Sequence, residues 1–316
     1  MSSDRSPGMA TPGERAAQPD PVYSRVLAET NQGPGPRQDI IRKLSKELEQ
    51  CVVSLFTSFR YPVMIEDQTA QMLEDVLRSC PRGSQLTLLL NSPGGDALAA
   101  ERIISISRAH SNGKFGVIVP KMAKSAATMV CLGSSRIQMM TTAELGAIDP
   151  QVVEVVHGEM KIVSARAVID SYQKLMRQAL KVPAENVSPL LQQLQGYDAR
   201  TIAQYRNAVS LSEDIAVRAL QTGMMQGLSG RAIRQRIKRF TAPKPGGAHG
   251  RGIGIEEARK CGLKVEEIKR ETALSDMVWE LYVRTNHYVS TLCSAAIETA
   301  DQSFTAARPA TKGDAG

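Results

Sequence analysis

The sequence predicts an α/β layer fold, and two observations carry that expectation. Short continuous apolar runs stop abruptly at turn residues, as buried parallel strands do. Between them lie segments with apolar residues at helical spacing, so strand and helix alternate at short intervals and right-handed crossovers follow. With 316 residues, 42% of them hydrophobic, the chain is long enough to bury a sizeable core.

Residues 1–38 are polar and rich in Pro and Gly, and read as a disordered tail with no hydrophobic signal core. From Asp39, Ile40, Ile41, Leu44 and Leu48 share one helical face, and the following Cys51–Phe56 is open to a second reading as a first buried strand. "IEDQTAQMLEDVLRSC" is a helix with Met72, Leu73, Val76 and Leu77 as its apolar positions. Leu86–Leu90 is a central strand ending at Asn91-Ser92-Pro93-Gly94-Gly95, and Asp96 is placed to cap the helix "ALAAERIISISRAH". "KFGVIVP" is the next strand, "KSAATMVCLGSS" a short helix of small residues, "RIQMM" a strand and "TTAELGAIDP" a loop.

Beyond Pro150 the pattern becomes helical from residue 164 to about 240, followed by the Gly/Pro-rich "FTAPKPGGAHGRG". "GIEEARKCGL" is a helix, "KVEEI" a last strand, and "SDMVWELYVRTNHYVSTLCSAAIETA" a final helix. Residues 39–300 are expected to form one domain and 301–316 a flexible tail.

Composition narrows the function. Aromatics are 4% of the chain, which argues against single-strand nucleic-acid binding by base stacking. The five cysteines are widely spaced with no CxxC, so neither a disulfide framework nor a zinc site is expected, and a reducing, cytoplasmic setting fits. No apolar run reaches the length of a membrane span. The net charge of +7 is matched by seven basic and no acidic residues between Arg231 and Arg251, read first as a solvated face and only second as a contact for nucleic acid or another acidic partner.

Two stretches carry chemistry. In "NSPGGDA", Gly94 and Gly95 let the backbone turn sharply at a strand end and expose N–H groups of the kind that hold an oxyanion; no P-loop or dinucleotide fingerprint accompanies them. Ser125 follows a strand, opens a helix and has small neighbours, the setting of a nucleophilic serine or of an ordinary helix cap. The base is open at this level. His249 lies in a glycine-rich loop, Asp149 could orient a histidine, and Lys124, Lys161 and Lys174 are the alternative bases.

"LLLNSPGG", "VIVPKMAKSAAT", "AELGAIDPQV" and "GAHGRGIGIEEARKCGL", in this order, resemble the serine dehydrogenase proteinase family, relatives of signal peptide peptidase A in the Clp-protease/crotonase superfamily. The resemblance spans about Asp39 to Tyr288. It implies a Clp-protease/crotonase-like fold of repeated ββα units with a helical C-terminal part, and a serine peptidase acting on peptides or proteins without cofactor or metal. Ser125 then takes the nucleophile position, Gly94, Gly95 and Ala126 the oxyanion hole, and His249 and Asp149 the rest of a triad. It departs from the family pattern at Ala126-Ala127, where two glycines are usual, and at Gly250, where an aspartate is expected. The alternative it leaves is a catalytically impaired scaffold of the same fold; a homo-oligomer is implied in either case.

Overall fold

A computed structural model describes residues 21–29, 33–61, 64–156, 159–242 and 251–308. The chain opens with α1 (Val22–Ala28) and α2 (Gly35–Leu48), then β1 (Cys51–Thr57), α3 (Asp67–Leu77), β2 (Leu86–Asn91), α4 (Ala97–His110) and β3 (Phe115–Val119). A two-residue strand β4 (Met122–Ala123) leads into α5 (Ala126–Gly133), followed by β5 (Arg136–Met140) and β6 (Glu144–Leu145). A hairpin, β7 (Gln151–Val156) and β8 (Glu159–Ser164), precedes α6 (Ala165–Ala179), α7 (Ser188–Leu194), α8 (Ala199–Gln221), α9 (Gly230–Arg236) and α10 (Lys238–Thr241). The last elements are α11 (Ile255–Lys260), β9 (Val265–Ile268), α12 (Ala273–Thr291), β10 (Cys293–Glu298) and β11 (Ser303–Ala307).

Among the described residues the central sheet has seven strands, in the order β11-β10-β1-β2-β3-β5-β9. β1, β2, β3, β5 and β9 run parallel, while β10 pairs antiparallel with β1 and β11 antiparallel with β10. Apolar residues on both faces of β1, β2 and β3 explain the continuous runs in the sequence. Val52, Phe56, Leu89 and Ile118 pack under α2 and α12. Their strand neighbours Val53, Leu55, Leu88, Leu90, Val117 and Val119 face the other way, towards α3, α4, α5 and α8. The result is a three-layer α/β fold in which the central strands β1, β2 and β3 are buried on both faces.

Several expected elements fall differently. Val22–Ala28, inside the stretch expected to be a disordered tail, is a helix, because Val26 buries against α12 and Glu29 pairs with Arg284. Ser303–Ala307, expected to be flexible, is the edge strand beside β10. The single final helix is broken at Thr291: Cys293–Glu298 is buried at every position and inserts as a strand between β1 and β11, so tertiary pairing overrides the helical preference of its alanines. Cys51 and Cys80, expected to be unpaired, form a disulfide with Cα atoms 6.2 Å apart. They open β1 and follow α3, neighbours in space that wide sequence spacing did not reveal. Cys131, Cys261 and Cys293 are buried and free. Within the basic stretch, Arg234 pairs with Asp214 and Arg239 with Glu257. Among the described residues no helix is long and apolar enough to cross a membrane.

Candidate active site

Crossovers in a parallel sheet deliver loops to the carboxyl ends of the strands, and two of them meet here. The turn after β2 carries Gly94 and Gly95; the turn after β4 carries Ser125. Ser125 has φ 49° and ψ −118°, a backbone conformation that an L-residue rarely adopts. The strain is held from several directions. Ser125 N–H donates to Ala147 O at 3.2 Å, Met129 N–H to Ser125 O at 3.0 Å, and the Thr128 hydroxyl to Ala123 O at 2.7 Å. The Ser125 side chain is not used as a helix cap and, among the described residues, its hydroxyl has no hydrogen-bond partner. It opens onto a cleft of about 630 Å³. α5 starts immediately after it, so the positive end of that helix lies at the serine.

The glycine turn packs directly on this serine. Gly94 has φ 111° and Gly95 φ 155°. A Cβ on Gly94 would stand 2.6 Å from Ser125 Cβ, and one on Gly95 2.2 Å from Ile65 O, so no side chain fits at either position. Gly94 N–H, expected with Gly95 to be an oxyanion donor, instead donates to the buried Ser92 Oγ at 3.1 Å, and Gly94 O accepts from Ile65 N–H at 2.8 Å. Among the described residues neither Gly95 N–H nor Ala126 N–H meets an acceptor. Ala126 and Ala127 are fully buried, with their methyl groups in the core cluster that α5 shares with α4 and α8. The departure from a glycine pair therefore does not fill the cleft.

Asp149 lines the cleft at 3% exposure, and its carboxylate accepts from the Ser164 hydroxyl. The alternative bases sit differently. Lys124 lines the cleft, but its ammonium donates to Glu144. Lys161 stands across from Glu154 on β8, and its neighbour Ile162 is the one that lines the cleft, on the opposite face of the hairpin. Lys174 borders a different cavity, between α6 and α8. His249 lies outside the described residues. The described segments on either side of it are anchored beside the cleft: Ile148 N–H donates to Phe240 O at 2.9 Å, and Leu145 and Ile253 exchange backbone hydrogen bonds at 2.9 and 2.8 Å. His110 and His287 do not line the cleft.

Sequence reading missed the apolar wall. Met129 comes from α5, Ile162 from β8, and Ala208, Leu211 and Ser212 from α8. The only signal was the i, i+3, i+4 spacing of the last three on a helix far along the chain.

The layered sheet and the strained strand-to-helix turn at Ser125 define a ClpP-like α/β protein. Residues 34–205 match the family described as ClpP-like SDH-type serine proteinase, and the chain belongs to that family. It is also similar to two uncharacterized proteins of Methanocaldococcus jannaschii. MJ0137 is 31% identical over 123 residues, 36% of this chain and 43% of that protein; MJ1495 is 33% identical over 93 residues, 28% of this chain and 30% of that protein. The chain thus spans less than half the length of either curated relative.

Proposed function

We propose that the protein is a serine peptidase acting on peptide or protein substrates through an acyl-enzyme at Ser125. The observation that carries this reading is the pairing of an unused, cleft-facing serine hydroxyl at a strained turn with the free N–H groups of Gly95 and Ala126. Such strain costs about 1–3 kcal/mol and persists where the surroundings over-determine it. In this reading Ser125 Oγ attacks the substrate carbonyl and passes its proton to a base. The developing oxyanion is held by Gly95 and Ala126 N–H, with Gly94 providing the close approach. Collapse of the tetrahedral adduct sends the proton to the leaving amine, and water then attacks the acyl-enzyme and releases the carboxylate.

His249 is the proposed base, oriented by the buried Asp149. The anchoring of Phe240 and Ile253 against Ile148 and Leu145 supports this, since His249 sits between the two anchors in the chain. The engagement of Lys124 by Glu144 favours the histidine over the adjacent lysine. We further propose a homo-oligomer; the Cys51–Cys80 disulfide removes the cysteine-based ground for a reducing, cytoplasmic setting.

The test is labelling by a fluorophosphonate probe. Wild type is expected to take one label, at Ser125, and Ser125→Ala none. His249→Ala is expected to lose labelling; retention there would direct attention to a lysine. A wild-type chain that takes no label would instead support the scaffold reading of the same fold.

A further inference from the structure

Ser92 touches both halves of the site. Its backbone forms a bridge with Ala123, two residues before Ser125: Ser92 N–H donates to Met122 O and Lys124 N–H to Ser92 O, each at 3.0 Å. Its side chain turns the other way. Ser92 Oγ accepts from Gly94 N–H at 3.1 Å and lies 2.7 Å from Thr57 Oγ1, where either hydroxyl can donate. Both side chains are buried, with Ser92 at 0% and Thr57 at 1% exposure.

These bonds bear on where Gly95 N–H points. A trans peptide directs its C=O and N–H to opposite sides of one plane. Gly94 O is held by Ile65 N–H, so the Gly95 N–H of the same peptide is turned away from Ile65. The orientation of that plane depends on the preceding one, whose Gly94 N–H is held by Ser92 Oγ. Gly94 sits at φ 111°, a torsion that glycine adopts freely and does not itself fix. The Ser92 hydroxyl supplies the missing constraint, while the Thr57 hydroxyl pairs with it without touching Gly94.

We propose that Ser92 is a positioning residue: its hydroxyl aims the Gly95 N–H at the carbonyl that Ser125 attacks, while its backbone ties that turn to the strand carrying the serine. The inference rests on the acyl-transfer reading above. Ser92→Ala removes the acceptor for Gly94 N–H with little change in volume. Thr57→Val is the control, because it disturbs the same buried pair yet leaves Ser92 Oγ bonded to Gly94.

Three measurements on the full chain test this: the fluorophosphonate labelling rate at Ser125 as a function of probe concentration, the unfolding midpoint, and amide hydrogen exchange at Gly94. Ser92→Ala is expected to lower the maximal labelling rate at least about tenfold, because a misaligned donor fails mainly in the transition state. The probe concentration at half-maximal rate stays near wild type, and Gly94 exchange accelerates. Thr57→Val is expected to label within about threefold of wild type despite a similar loss of stability. Labelling of Ser92→Ala at the wild-type rate overturns the inference and leaves the acyl-transfer reading standing. Equal slowing of both variants, in step with their lost stability, also overturns it, since the pair then serves packing alone. An unlabelled wild type overturns the acyl-transfer reading and this inference with it.

Discussion

Gly94 packs so closely on Ser125 that a methyl group there would lie 2.6 Å from the serine Cβ and 2.7 Å from Lys124 O. Two loops from different crossovers meet there with no side chain between them. Gly94→Ala must push these loops apart at a positive φ, and is expected to cost about 1–3 kcal/mol of stability. Displacing the turn by about 1 Å is expected to slow labelling of Ser125 on the order of a hundredfold. Denaturant unfolding and probe kinetics on one preparation check both, and labelling at the wild-type rate would remove this contact from the site.

The strained serine makes a second, opposite prediction. Ser125→Gly and Ser125→Ala both remove the hydroxyl, but only glycine adopts φ 49° without strain. The glycine variant is expected to be more stable than the alanine variant by about 1 kcal/mol, after the flexibility glycine adds to the unfolded chain. Urea midpoints of the two hydroxyl-free variants decide it; equal midpoints would mean that the turn stores no strain.

Arg37 and Glu298 form a buried ion pair at 2.8 Å, with the guanidinium 3.9 Å from the centre of the Tyr288 ring and the Ser303 hydroxyl donating to the same carboxylate. The pair fastens α2 to β10. Glu298→Ala leaves the guanidinium buried without its main counter-charge and is expected to cost about 3–5 kcal/mol. Replacing both partners, Arg37→Met with Glu298→Leu, removes the charges together and is expected to fall much nearer to wild type. Additive losses in denaturant titrations would contradict this coupling.

His110 gives the fold a pH dependence. Burial lowers its pKa, with the charge of Arg82 acting in the same direction, and among the described residues its Nε2 has no partner. The unfolded chain therefore binds this proton more tightly than the folded one. Stability from this site is complete above the ordinary histidine value of about 6.5 and is lost as pH falls through the lower folded value. Unfolding midpoints are expected to drop between neutral and mildly acidic pH, with a shallower drop in His110→Gln; identical slopes would assign the effect to other groups.

How much of this was legible in the sequence differs by element. The strands at Leu86–Asn91 and Phe115–Val119 were plain because burial on both faces leaves an apolar run that turn residues cut off. The β7–β8 hairpin was not, since it stands apart from the main sheet and leaves Val153 and Ile162 exposed as a cross-strand pair. Cys293–Glu298 read as helix because its alanines carry no β signal; only the vacant edge of β1 makes it a strand. At the site, the residue types at Gly94, Gly95 and Ser125 were visible as motifs. Their torsions were not, and neither was Ser92, whose role depends on a bridge to a strand only two residues long.

The pairing of β10 with β1 also sets an order of assembly. Ser54 lies opposite Glu298, so the strand that begins the sheet finds one of its two partners only when almost the whole domain has been made. Until then the β1 edge is bare, with unsatisfied backbone groups beside fully buried side chains such as Val53 and Leu55. Closing so long a loop is slow as well as entropically costly. A growing chain thus has β2 in place and β10 missing until Cys293–Glu298 is made, and a product stalled or truncated before it would carry an open sheet edge, which marks it for chaperones or for aggregation.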